Sequence, residues 1–123
     1  MMVSREQFEK ITAEVFDALP EKFRSHMYNV AILVEDFPSP EQQKKLRIRD
    51  KYGLLGLFEG YIQSSRRNFG PVLPDKITLF RVPIMQSCST EDECRRQIEE
   101  TLKHEIAHHF GSDEKGARKA GRK

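Results

Sequence analysis

"STEDECRRQIEETLKHEIAHHFG", residues 89 to 111, decides how the rest of this chain is read. Ser89 or Thr90 can cap a helix, and Glu91, Asp92 and Glu93 fill a first turn where the helix dipole favours negative charge. Ile98, Leu102 and Ile106, with Phe110 or Ala107, then recur on one face at helical spacing. Gly111 stands where a helix commonly closes on a residue free to adopt the left-handed conformation, so the pattern predicts one helix ending there.

On that helix His104 and His108 are four residues apart. At about 100° per residue they differ by roughly 40° around the axis, so both imidazoles point to one place, as two jaws of a metal grip. Glu105 lies between them, where its carboxylate can reach a water held on a metal without being a ligand itself. This is the H-E-x-x-H arrangement, in which zinc acidifies the water and Glu takes its proton. His109 is about 100° round from His108 and is expected to face elsewhere, in packing or a hydrogen bond. Four His and thirteen Glu in 123 residues produce the pattern by chance about once in a hundred such chains, so its position on a helix carries much of its weight. The plain alternative is a His-rich helix end favoured by the macrodipole.

A hydrolytic zinc takes three protein ligands and leaves one position for water. The sequence holds fifteen residues beyond His108, too few for a Glu some twenty residues on, so the third ligand is expected close by. Asp113 and Glu114 follow Gly111, which can let the backbone turn back toward the metal. Counting H-E-x-x-H-x-x-G-x-x-ligand, the position falls on Glu114, with Asp113 one residue short; the lone His26 is a remote alternative.

The remaining composition bounds the scaffold. A chain of 123 residues, 37% hydrophobic and 33% charged, is expected to form one domain, over 1–114, with one core. No apolar run is long enough to span a membrane, and the polar start "MMVSREQFEK" lacks a secretory stretch, which places the protein in the cytoplasm as an expectation. Cys88 and Cys94 are too few for a disulfide scaffold and read as free thiols. Five of the 21 basic residues fall in the last nine positions, "KGARKAGRK", leaving 16 bases against 19 acids in the body. Residues 115–123 read as a basic, solvated tail, and nucleic-acid contact is the lesser reading. The second basic cluster, "KKLRIRDK" at 44–51, mixes in Leu46, Ile48 and Asp50, as a solvated face does.

Upstream, "SREQFEKITAEVFDALP" offers Ser4 as cap and Gln7 three residues later, with Phe8, Ile11, Val15 and Leu19 on one face and Pro20 as the stop. "HMYNVAILVEDFP" reads as a buried strand from about Met27 to Glu35, and "SPEQQKKLR" as a short helix capped by Ser39 with Pro40 at its first position. "YGLLGLFEGYIQSS", punctuated by Gly53, Gly56 and Gly60, suits a strand or loop, and "RRNFGPVLP" a loop. "DKITLFRVPI" alternates as a strand, with Pro83 suggesting an edge or terminal position. The fold class is therefore α+β, a small mixed sheet with helices and a C-terminal helix bearing the site.

Taken with the motif, "LLGLFEG" at 54–60, "VLPDKITLFRVPI" at 72–84 and "RRQIEETLKHEIAHHFG" at 95–111 resemble the small bacterial metallopeptidase-like domains of the minimal zincin type. That family carries an extended H-E-x-x-H-x-x-G-x-x-D motif near the C-terminus. The resemblance implies a zincin-like fold with His104, Glu105 and His108 on the last helix and a strand around Ile77 to Val82 beside the cleft. This chain departs from the family in having Glu114 where the motif places Asp, with Asp113 next to it, and no Met-turn follows; Met85 lies upstream and reads as packing.

The expected function is that of a zinc metallopeptidase with one Zn2+ per chain, Glu105 as general base and a peptide or protein substrate. Tyr52, Tyr61 and Arg81 are available as oxyanion helpers, though each reads more simply as structural. Two rivals remain. One is a metal-binding adaptor without turnover; the other is a metal-dependent endoribonuclease, disfavoured because Glu105 fills the motif's second position and no third His follows it in register.

Overall fold

A computed structural model describes residues 2–60 and 74–121, with side chains described as far as Phe110. The first helix, α1, spans Arg5–Asp17, and Ser4 caps it by accepting from the Gln7 amide at 3.1 Å. Phe8, Ile11 and Val15 go inward as their spacing requires, and Thr12 joins them by returning its hydroxyl to the Phe8 carbonyl at 2.9 Å. After Pro20 a single turn of helix, α2 at Glu21–Arg24, follows without a periodic signal long enough to announce it. The next helix, α3 at Pro40–Leu46, has the complete reciprocal cap: the Gln42 amide donates to Ser39 Oγ at 3.0 Å and the Ser39 amide to Gln42 Oε1 at 2.9 Å. Arg47 closes it in the left-handed conformation, φ 57°.

Among the described residues three strands form one mixed sheet: β1 at Val30–Glu35, β2 at Gly56–Glu59 and β3 at Asp75–Phe80, in the order β1-β3-β2. β3 pairs in parallel with β1, Val30 opposite Asp75 through Glu35 opposite Phe80, and antiparallel with β2, Gly56 opposite Leu79 through Glu59 opposite Lys76. Two sequence expectations change here. β1 begins at Val30, not Met27, and is an edge strand in which only Val34 is buried. β3 is central and ends at Phe80; Ile77, Thr78, Leu79 and Phe80 are all buried, as strands covered on both faces are. Pro83, read as marking an edge or terminal position, lies beyond the strand's end, in the short helix α4, Arg81–Gln86. It falls in the first turn, where backbone amides have no intrahelical acceptor and the missing N–H breaks nothing.

The last helix, α5, spans Glu91–Gly121. Thr90 is its cap, accepting from the Glu93 amide at 3.1 Å, while the Glu93 carboxylate accepts from the Ser89 amide at 2.6 Å. Ile98, Leu102 and Ile106 are fully buried in the core with Phe8, Ile11, Ile77, Leu79 and Ile84, and of the two candidates for the next inward position Phe110 is half-buried while Ala107 is exposed. The helix does not close at Gly111 but runs on through it to Gly121, taking in residues that composition reads as tail. Arg81 ties α4 to the end of β1, its Nε donating to Asp36 Oδ1 at 2.8 Å and its Nη1 to the Val3 carbonyl. Met85 is buried packing, as expected. The loop reading of "RRNFGPVLP" falls, except for Pro74, outside the described residues.

Candidate metal centre

α5 carries two neighbouring stripes of side chains, and they have different jobs. The apolar positions Ile98, Leu102 and Ile106 anchor the helix in the core. One step round the axis lie Gln97, Thr101, His104 and Glu105, which line a cleft between the helix and the start of β2, with His108 on the next turn. The boundary is narrow because Gly56 has no side chain. A Cβ there would lie 2.6 Å from Thr101 Cγ2 and 3.3 Å from Glu105 Cγ, below and at the limit of real contacts.

His104, Glu105 and His108 each offer a ligand atom, and these atoms lie within 4.8 Å of one another. The two imidazoles have ring centroids 4.4 Å apart and are tilted by 59°. Both are exposed, while Glu105 between them is buried. Its Oε1 faces His108 Nδ1 at 3.4 Å and has no hydrogen bond among the described residues. A buried carboxylate oxygen left without a donor is unfavourable by about 1–3 kcal/mol or more, so an arrangement like this one is completed by a cation or by a water that donates to it.

The other sequence candidates separate from this group. His109 turns inward, with Nδ1 3.7 Å from Asp75 Oδ2 and its ring 5.3 Å from Phe58, the packing role expected for it. His26 packs at a tilt of 44° against Phe110, with centroids 3.9 Å apart, and is not among the residues that gather at the site. Arg81 is engaged by Asp36 and Val3, and Tyr52 packs edge-on against Phe37 at 5.1 Å, so neither stands at the cleft as an oxyanion helper; Tyr61 lies outside the described residues. The side chains of Asp113 and Glu114 also lie outside them. What the backbone does contribute is a correction: the turn that would return either acid to the metal is not made at Gly111, where the helix continues. The cleft is lined on the strand side by Leu54, Leu55 and Gly56 at the start of β2, while the strand around Ile77 to Val82, β3 at Asp75–Phe80, lies next to β2 and gives no residue to the lining.

Sequence reasoning missed Gly56, Thr101 and the wall of the cleft at Leu54 and Leu55. A glycine inside a strand is a weak signal of close backbone approach, and only that. The cleft has a volume of about 390 Å³ and runs from Gln97 past Thr101 to His104 and Glu105.

The sequence matches the zincin-like metallopeptidase family over residues 27–121. Among solved structures the fold is similar to that of a conserved hypothetical protein from T. thermophilus, with 21% identity, a TM-score of 0.56, and 89% of this chain and 95% of that chain covered. No curated protein matches.

Proposed function

Since the chain belongs to the zincin-like metallopeptidase family, we propose that it is a zinc-dependent peptidase whose reaction is run by His104, Glu105 and His108. The observation that carries this reading is the buried Oε1 of Glu105, without a hydrogen bond among the described residues, set between two exposed imidazoles. His104 and His108 would hold the ion, with Glu114 or Asp113 as the candidate third ligand. Zinc, when bound, supplies a Lewis acid and lowers the pKa of water. Glu105 then takes a proton from the attacking water and delivers it to the departing amine, which its position one residue from His104 suits. Burial serves that role by keeping the carboxylate in a fixed place and away from competing solvent. Among the described residues β2 pairs only with β3, so its other edge has main-chain groups to offer an extended peptide. No helix among the described residues is long and apolar enough to cross a membrane.

Metal content and turnover test the reading separately. The purified chain should hold one zinc, and His104→Ala or His108→Ala should each abolish it, because one imidazole fewer leaves too few donors for a structured site. Glu105→Gln should keep the metal and lose hydrolysis of a mixed peptide pool, since an amide cannot accept the proton. Unchanged zinc in both His variants would end the metal-site reading. Of Asp113→Ala and Glu114→Ala, the one that removes a ligand should weaken zinc affinity tenfold or more. Small and equal effects would leave two His and water, and favour a non-catalytic adaptor.

A further inference from the structure

One turn of α5 before His104, the cleft changes character. Leu54 and Leu55, both half-buried, form an apolar wall on the strand side, and Glu100 stands opposite on the helix, exposed at the mouth. Glu100 has neither a hydrogen bond nor an ion pair among the described residues. Its neighbours do: Glu99 meets Lys103 at 2.9 Å, Glu91 meets Arg95 at 3.3 Å, and Glu59 on β2 meets Lys76 at 3.6 Å. Among the described residues no Lys or Arg lines the cleft, whose other acid is the buried Glu105.

We propose that this end of the cleft is a subsite for a basic side chain, Lys or Arg, of a peptide substrate, with Glu100 as its counter-charge; this names the substrate class of the site proposed above and rests on that reading. The surroundings match that side chain in both of its parts. A Lys or Arg stem is aliphatic and lies well on Leu54 and Leu55, while its head reaches out to a carboxylate at the rim. Glu100 precedes His104 by four residues, about 6 Å along the helix, which an extended peptide covers in about two residues. Side chains two apart in an extended chain share a face, so the basic residue falls within about two positions of the bond to be cut. An acidic residue in that place would meet two carboxylates and be repelled.

The test is binding, so that it does not depend on turnover. End-blocked, fluorescein-labelled octapeptides of Ala, Val and Thr with one central Lys, and the same peptides with Glu in its place, are titrated by anisotropy against the full zinc-treated chain. The Lys peptide should bind about 3–10-fold more tightly, and the ratio should shrink as salt is raised. Glu100→Lys should reverse the order, whereas Glu99→Gln, on a residue already engaged by Lys103, should preserve it. Equal binding of the two peptides, no binding of either, or an order that survives Glu100→Lys overturns the proposal. Its failure is distinct from failure of the peptidase reading. A chain that holds zinc and cleaves both peptides equally loses the subsite alone; one that sorts the peptides but neither holds zinc nor cleaves keeps the subsite as a binding site and loses the peptidase.

Discussion

Gly56 controls the site by what it lacks. The helix beside it carries Thr101, whose β-branch is stiff in a helix and whose Cγ2 would be 2.6 Å from a Cβ at position 56. Gly56→Ala therefore forces β2 away from α5 or distorts Thr101, and should destabilise the protein by about 1–3 kcal/mol in urea unfolding. Thr101→Ser removes the offending methyl while keeping the hydroxyl that accepts from Gln97 Nε2 at 3.2 Å, so it should recover part of the loss in the double variant. Stability unchanged by Gly56→Ala would show that the strand and helix are not in close contact there. His104, Glu105 and His108 were legible from spacing alone because a helix turns four residues into one face. Gly56 was not, because its neighbour Thr101 lies in a distant part of the sequence.

At the scale of elements, the helices with local signals appear where those signals stand. Ser4, Ser39 and Thr90 each cap as their side chains allow, and Pro20 ends the first run. The end of α5 is where local reasoning and structure part. Gly111 has the credentials of a cap, yet the helix passes through it. A helix-interior glycine is less stable than alanine by about 0.5–1 kcal/mol, so Gly111→Ala should raise both helix content by far-UV circular dichroism and the thermal midpoint. A fall of similar size would instead mean a left-handed residue at 111, with the chain turning there toward the metal. The same measurement thus bears on how Asp113 or Glu114 could reach the ion.

The whole molecule is closed by a core drawn from α1, the sheet, α4 and α5, and its two thiols report on that closure. Cys88 and Cys94 are free and buried, as the cysteine count implied. Burial, aided by the neighbouring Cys88 thiol, pushes Cys94 from 9.0 up to about 12. Native protein at neutral pH should resist iodoacetamide at both positions and become labelled only as fast as it unfolds. Rapid labelling of the native chain would mean that α4 and the start of α5 open independently. A thiol harder to ionise when folded adds stability that is fully present below pH 9 and is lost as pH climbs from about 9 toward 12, because the unfolded thiol ionises first. Cys94→Ala should flatten that alkaline decline in thermal midpoint.

What the sequence determined by itself was what is set within a few residues: the capped starts of α1, α3 and α5, which face of the last helix goes inward, and that two His and a Glu converge on a neighbouring stripe. The α+β class and the family resemblance followed from those local patterns. Only the tertiary structure decided that β3 is central and β1 an edge, that Pro83 falls in the first turn of a helix beyond the strand, and that β2, through Gly56, lies against Glu105. Strand order and close approach depend on contacts between distant parts of the chain, and short apolar runs carry the same period whichever neighbours they acquire. The chemistry of the site was therefore written along one helix, while the cleft that would receive a substrate exists only where a glycine lets a strand lie against it.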